Sequence, residues 1–493
     1  MEGTLVATPI PRNEASWSLS EVTDITRGRL IGGQDTVIHG VCTDTRALVR
    51  GNLFVALKGA SFDGHNYLSA AAAAGAHALL VRRGSTIPQG ATVVEVDDTL
   101  TALGDLAQAH RRRWGGYVVG ITGSVGKTLV KELAAPVLQA MYRHVLHSQG
   151  NLNNLIGLPM TLFQLRPEHR IAVVELGISQ AGEMASLAAI AKPDAALITR
   201  IAMAHTEGLG GLTELAEQKA QLLTALSSKG LAVLNADDAM TPTLLKHVTT
   251  PRVMTFGRHP EADVQLIEQH IDSDLRCGST LEIKELSAEP LRLHMRALGE
   301  GVSMASAAVI ALVVGMLKVS QPGSMVNALR AASRVLNELP ALPQRLQLKR
   351  GANDSLIIDD TYNANPASVT MGLDTAAEIA RVLGGRLLVV LGDMKELGPA
   401  SRDEHRQIGR YVVDKSATVF IGCGREMLHA VEAASETTSL SSPTSGFHVS
   451  EPGQAIAQVL QYLQPRDVVF VKGSRSMRME YVVQGLLAPL EAA

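Results

Sequence analysis

The run Tyr117-Val118-Val119-Gly120-Ile121-Thr122, then Gly123-Ser124-Val125-Gly126-Lys127-Thr128, then LVKELAA, limits the folds open to this chain more than any other stretch. The first six residues are apolar or β-branched without polar alternation, which reads as a strand buried on both faces. A buried strand that turns through glycines into a helix opens a βαβ unit, and so a mainly parallel sheet covered by helices. Glycines let backbone N–H groups close on phosphate oxygens, and the helix N-terminus adds positive potential there. Lys127 can reach the outer phosphates of a nucleoside triphosphate, and the Thr128 hydroxyl can ligate Mg²⁺. The long form of such a loop would need glycine at 121, where Ile121 stands, so the match is to the shorter T-G-x-x-G-K-T. A G-K-T turn alone reads equally well as a glycine turn with a solvated lysine; its place between strand and helix favours phosphate. Pro136, about ten residues into the helix, is expected to kink or end it.

The same rhythm runs through the rest of the chain. IAVVELG (171–177), AALIT (195–199) and LAVLN (231–235) read as further strands of that sheet, with helical stretches between them. Residues 240–300 alternate more and are expected at an edge. Helices are expected over 100–113, 305–319 and 323–335. Before this unit, short apolar runs between Trp17 and Val96 read as a small α/β unit, preceded by a loose tail (1–16) with Pro9 and Pro11. After Asn337-Glu338-Leu339-Pro340-Ala341-Leu342-Pro343, a linker-like break, SLIIDD, RLLVVLGD, ATVFIG and DVVFVKG resume the α/β pattern in Rossmann-like form. The expected division is 1–98, 99–336 and 337–493, in keeping with 493 residues being too many for one core.

Lys+Arg number 45 against Asp+Glu 48, so no global charge draws the chain to nucleic acid or a membrane surface. The most apolar run, Met304 to Leu317, is about 14 residues, short for a bilayer, and reads as a buried helix. Cys42, Cys277 and Cys423 lie far apart, which suits a reducing compartment. With no secretory signal visible at the start, a cytoplasmic protein is expected, by default a monomer. Glu175 ends the strand IAVVE, where parallel-sheet sites gather; His205 follows AALIT, and Lys219 lies on the next helix. Carboxylate and imidazole can ligate Mg²⁺; an ordinary lysine ammonium cannot.

Taken together, CTDTR, GNLFVALKGASFDGHNY, ITGSVGKT, GNLNNLIGLPMTL, VVELG, AH, LNADD, TFG, DDTYNANPAS, LGDMKELGPASRDEH and VKGSRSMRME resemble the Mur ligase family over about residues 40 to 482. DDTYNANP and LGDMKELG favour the dipeptide-adding branch, and the D-N-P-R signature of the diamino-acid-adding branch is absent. The resemblance implies three domains, ATP and Mg²⁺ as cofactors, and an amide bond made through an acyl phosphate. It implies UDP-MurNAc-tripeptide and D-Ala-D-Ala as substrates. Thr45, Arg46, Asp63, Gly64 and His65 would form the nucleotide-sugar pocket, with Asn151, Asn153 and Asn154 beside the sugar and phosphates. Gly123, Ser124, Gly126, Lys127 and Thr128 would hold the triphosphate. Thr128, Glu175 and His205 would ligate metal, joined by Lys219 once carbamylated. Asn235 and Asp237 would flank the nucleotide, and Arg345, Asp360 and Tyr362 would reach it from the third domain. Asn363, Asn365, Lys472, Ser474 and Arg475 would face the substrates.

Some positions depart from that pattern. Gly301 and Ala305 stand where His and Asn are expected, Arg200 for Asn, Leu129 for Ser/Thr, Gln221 for Glu and Gln344 for Gly. They keep open a second expectation, a relative that joins a different acid and amine.

Overall fold

The computed structural model describes residues 8–59, 62–202, 211–286, 289–318, 322–438 and 443–487. Three larger sheets follow one another along the chain, with a two-stranded ribbon (Ser16–Ser18 with Val37–His39) beside the first. The first sheet has five strands, in the order 29–31, 93–96, 78–82, 53–55, 41–42; all pairings but the outermost, 29–31 with 93–96, are parallel. The central sheet has nine strands, and the strand before the phosphate loop, Tyr117–Thr122, runs parallel between Ile171–Glu175 and Ala195–Ile198. Residues 253–295 extend the opposite edge and finish it with two antiparallel pairings, as the alternating sequence implies. The third sheet has six strands, five of them parallel, with Gln347–Arg350 antiparallel at its edge.

Side-chain alternation explains how the central sheet joins the other two. Val119, Ile121, Val173, Leu197 and Val233 face one way, Val118, Ala172, Val174, Ala196 and Leu234 the other. The first set belongs to an apolar cluster that continues without a break into Ile358, Val369, Leu373 and Val389 of the third unit. The second belongs to a cluster shared with Leu53, Val55, Leu80 and Val94 of the first. The inner strands of the central sheet are thus apolar on both faces, and each face feeds one of these clusters.

Three expectations need correction. The phosphate-loop helix runs from Lys127 to Tyr142 with Pro136 inside it, so of the two outcomes expected, a kink or an end, the helix does not end there. Leu133, Ala134, Ala135, Val137 and Leu138 around the proline are all buried, and that packing offsets the roughly 3 kcal/mol an interior proline costs. The apolar helix spans Glu300–Leu317, 18 residues with mean hydropathy 1.9, long enough to cross a membrane; 72% of it is buried within the protein, as a core helix. It begins earlier than the apolar run because Glu300 and Gly301 form its first turn. The tail is not loose from Thr8 onward. Asn13 bonds Val41 in the manner of a neighbouring strand, Nδ2 donating to its carbonyl (2.8 Å) and Oδ1 accepting its N–H (2.9 Å). Ala15 is buried.

Candidate active site

Gly123 and Gly126 both have positive φ, +146° and +89°, and a Cβ at 123 would collide with the Thr199 hydroxyl. Only glycine fits such a turn against the next strand end. The loop is tied there by Ser124 N–H donating to the Arg200 carbonyl (2.6 Å) and Thr199 Oγ1 donating to the Val125 carbonyl (2.6 Å). Lys127 folds back onto its own loop, Nζ donating to the carbonyls of Gly123 (2.7 Å) and Ser124 (3.3 Å). Burial holds its amine below the ordinary lysine value, Glu175 pulls the other way, and Arg345 adds to the lowering. Thr128 is the second residue of the helix, half-buried. Ser124 Oγ is buried without a hydrogen-bond partner.

Glu175, 2% exposed at its strand end, accepts from Asn153 Nδ2 through Oε1 (2.8 Å). Its Oε2 is buried and has no hydrogen-bond partner. A buried carboxylate oxygen left bare is costly, and a cation is the group that would complete it. Among the described residues no cluster of three acidic, cysteine or histidine side chains stands ready for a metal; His205 lies outside them. Thr128 and Glu175 supply hard oxygen donors of the kind Mg²⁺ takes, so the residues present fit that ion. Lys219 is 3% exposed and has no hydrogen-bond or ion-pair partner among the described residues. Burial, with Lys127 nearby, pushes its amine well below the ordinary value.

The sequence reading passed over Lys131. Its side chain is fully buried, with Nζ donating to the carbonyls of Ser148 (2.7 Å) and Gly150 (3.4 Å). The ammonium lies 2.8 Å from Glu132 Oε1 and 4.0 Å from Glu175 Oε2. It therefore holds the segment that carries Asn151, Asn153 and Asn154. The signal was there: Lys131 falls at helical spacing between Lys127 and buried Ala134 and Leu138, on a face too apolar for a solvated lysine. Asn154 is spent locally, its Oδ1 accepting from the N–H groups of Ile156 (3.1 Å) and Gly157 (2.8 Å).

Asn235 Nδ2 donates to the Thr199 carbonyl (3.0 Å). Asp237 accepts from the N–H groups of Arg258 and His259, both at 2.7 Å, so its carboxylate already pins a turn. From the third unit, Arg345 stacks on Tyr362 with 4.1 Å from guanidinium carbon to ring centroid. Asp360 and Lys472, paired across adjacent strands, form a buried ion pair of 2.6 Å, and Lys472 also donates to the Asn363 carbonyl (2.8 Å). Burial raises the Asp360 carboxyl, opposed first by Lys472 and then by Arg345. Ser474 Oγ accepts from Lys395 N–H (2.9 Å), and Arg475 Nη1 donates to Gln344 Oε1 (3.3 Å). Asn365 caps the helix Pro366–Leu383 with Ser368. Lys472 and Asn365 are thus bonded to neighbours within the third unit.

The N-terminal candidates form their own cluster. Arg46 binds Asp44 through two nitrogens, Nε to Oδ1 (2.9 Å) and Nη2 to Oδ2 (2.6 Å). Thr45 lies half-buried in the same turn. Asp63 caps the 3₁₀ turn Gly64–Tyr67, where Gly64 is packed against Leu57; its Oδ1 accepts from His65 Nδ1 (2.7 Å), and His65 Nε2 accepts from Arg82 N–H (3.1 Å). No hydrogen bond or ion pair among the described residues joins this cluster to the phosphate loop.

Comparison with known proteins decides what this geometry belongs to. Three family models match: "Mur ligase family, catalytic domain" over residues 37–111, "Mur ligase middle domain" over 121–313, and "Mur ligase, glutamate ligase domain" over 344–475. The UDP-N-acetylmuramoyl-tripeptide--D-alanyl-D-alanine ligase of Escherichia coli (strain K12) is 36% identical, covering 96% of this chain and 98% of its own. The chain belongs to the Mur ligase family. The relative of that name from Bacillus subtilis (strain 168) is 32% identical over 95% of this chain and 98% of its own. A crystal structure of MurF from Acinetobacter baumannii superposes with a TM-score of 0.83 at 28% identity, over 96% of this chain and 99% of that one.

Within a Mur ligase, the departures noted above have local compensations. Gly301 faces Met371 of the third unit, and a Cβ there would lie 3.2 Å from its methyl carbon and 3.9 Å from Leu129. Ala305 is 4% exposed in the shared apolar cluster. Gly301 and Leu129 are therefore neighbours, and with Met371 they make an apolar contact between the central and third units. Gln344 has φ +58°, a conformation that favours glycine; it is held by Tyr362 N–H donating to its carbonyl (3.2 Å) and by Arg475. Arg200 uses its backbone on the phosphate loop and exposes its side chain. Nothing in the structure explains Gln221.

Proposed function

We propose that this Mur ligase joins D-Ala-D-Ala to the terminal carboxyl of UDP-MurNAc-tripeptide, with ATP consumed through an acyl phosphate, in peptidoglycan precursor synthesis. The full-length agreement with relatives of that name carries the reading. The geometry supports it: a phosphate loop, an incompletely bonded strand-end carboxylate and a third unit that reaches toward both.

In this reading Lys127 gives up the carbonyls of Gly123 and Ser124 for the outer phosphates, and the loop N–H groups cradle them. Arg345, close enough to depress Lys127, adds a second cation where charge gathers as the phosphoryl group passes to the substrate carboxylate. Thr128 and Glu175, with His205 and a carbamylated Lys219, would hold Mg²⁺, which when bound neutralises phosphate charge. Burial pushes the Lys219 amine well below the ordinary lysine value, which favours the neutral form that adds to CO₂, forming an N–C bond and releasing one proton. The dipeptide amine then attacks the acyl carbon and phosphate leaves. Packing of the third unit over the loop excludes water from an intermediate that hydrolyses readily.

In this reading residues 1–98 bind the uridine nucleotide sugar, 99–336 ATP, and 337–493 the dipeptide and part of ATP. A monomer is the proposed oligomeric state, since one chain carries every group named. Three buried, free cysteines suit the cytoplasm.

The test is phosphate release from ATP with the two substrates added separately and together. Release that needs both, with the joined product seen by mass, is expected; ATP binding without stimulation by the pair would overturn the assignment. Lys219→Ala is expected to be inactive, and wild-type activity in it would remove the carbamate from the scheme.

A further inference from the structure

The segment from Thr8 to Ala15 touches two units at once. At one end Asn13 and Ala15 bond the first sheet, Ala15 through its carbonyl, which accepts from Gly40 N–H (2.7 Å). Midway, Ile10 packs against the cluster shared by the first and central units, and Glu14 approaches Arg166 of the central unit (3.5 Å). At the other end Thr8 lies on the segment 148–154. Its hydroxyl donates to Asn151 Oδ1 (2.6 Å) and accepts from the Asn151 N–H (3.4 Å). A Cβ at Gly150, whose φ is +50°, would strike the Thr8 side chain. The close approach thus requires glycine in that segment.

Beneath Thr8 the segment is pinned to the strand-end site. Lys131 holds the Ser148 and Gly150 carbonyls, and Asn153 bonds Glu175. Contacts therefore run unbroken from Thr8 through Gly150 and Asn151 to Lys131 and Glu175. Asn151 itself is exposed, and with Oδ1 engaged its Nδ2 has no partner among the described residues.

We propose that Thr8 is a positioning residue for the uridine-nucleotide substrate: it fixes the Asn151 amide so that its NH₂ donates to an oxygen of that substrate. The inference rests on the functional reading above, which puts Asn151 on the substrate side. The acceptor belongs to the pyrophosphate or to the muramoyl peptide, two sources of one chemistry. An amide free to rotate would present carbonyl or NH₂ indifferently, and an oxygen acceptor would be repelled by the first.

The experiment uses the full chain as wild type, Thr8→Val, which keeps the shape and removes the hydroxyl, and Thr8→Ser, which restores it. Steady-state kinetics give KM for UDP-MurNAc-tripeptide and for ATP, and calorimetry gives Kd for UDP-MurNAc-tripeptide and for UDP alone. Thr8→Val is expected to raise KM for the nucleotide substrate about five- to tenfold, the worth of one hydrogen bond, with kcat and KM for ATP unchanged and Thr8→Ser like wild type. A matching loss of UDP affinity puts the acceptor on the pyrophosphate; unchanged UDP affinity puts it on the muramoyl peptide. In an Asn151→Ala background Thr8→Val should add nothing further. Wild-type KM in Thr8→Val, or a fall in kcat with KM for ATP rising in step, overturns the proposal. If the wild type does not turn over this pair of substrates, the functional reading fails instead. Hydrogen exchange at the Asn151 amide then decides whether Thr8 fixes that residue: faster exchange in Thr8→Val supports it and unchanged exchange overturns it.

Discussion

The central and third sheets both collect polar groups at the carboxyl ends of parallel strands, and the two collections are opposites. In the central sheet Glu175 Oε2 and Ser124 Oγ are buried without hydrogen bonds, and Lys219 lacks a partner among the described residues. In the third sheet Lys472 has Asp360 and the Asn363 carbonyl. Asp393 accepts from the N–H groups of Glu426 and Met427 and pairs with Lys395. Buried polar groups are normally satisfied, so unmatched ones are retained where a ligand completes them. The matched ones form a frame, and what that frame presents is Arg345, Tyr362 and Arg475.

The sharpest way to break the contrast is at the phosphate loop. Lys127→Ala should lower turnover by at least about 10²–10³-fold, the scale of losing one preorganised transition-state contact, measured as phosphate release. Glu175→Gln comes next: turnover should fall comparably or somewhat less. Its denaturation midpoint should fall less than that of Asp360→Asn, because Oε2 has no hydrogen bond and stands 4.0 Å from the Lys131 ammonium, against 2.6 Å in the Asp360–Lys472 pair. Asp360→Asn tests the other side, leaving Lys472 buried without a counter-charge, and should cost about 3–5 kcal/mol in urea unfolding. If Glu175→Gln proved the less stable of the two, the contrast would collapse.

A smaller effect concerns acid. His405 is fully buried, donating from Nδ1 to the Ser401 carbonyl (2.7 Å) while Nε2 accepts from Met394 N–H (3.1 Å), an arrangement that requires a neutral ring. Burial lowers its affinity for protons below the ordinary histidine value of 6.5, so on acidification the unfolded chain protonates first. Its stabilisation is complete above about pH 6.5 and is lost as pH falls through the lowered folded value; His405→Asn should flatten that limb of the stability–pH curve. Smallest is Gln344→Gly, which should relieve about 1–2 kcal/mol of left-handed strain and give back part of it with the Arg475 bond. The net change in midpoint should be under about 1 kcal/mol.

Strands and the phosphate loop were readable from sequence because both depend on local facts, apolar runs and the glycines a tight turn demands. Lys131 and Lys472 were harder, since a lysine's burial depends on which carbonyls and carboxylates the fold brings to it. Asn365 and Asn154 look like substrate residues in a string of asparagines, yet both cap helices or turns, a role set by where the helix begins. The tail looked loose because prolines oppose regular structure; Asn13 docks it through side-chain bonds that need none. The helix continues past Pro136 because packing on the surrounding faces outweighs one missing amide. Gln344 had a readable clue in the glycine expected there.

The apolar cluster that runs from Val119 and Ile121 to Ile358, Val369 and Leu373 gives the contact between the central and third units a thermal character. Swinging the third unit away would wet part of that surface, so opening would carry a positive heat-capacity change. Apolar burial weakens on cooling. Chilled protein should therefore gape more readily, and the nucleotide should bind with a heat that grows more exothermic as the solution warms.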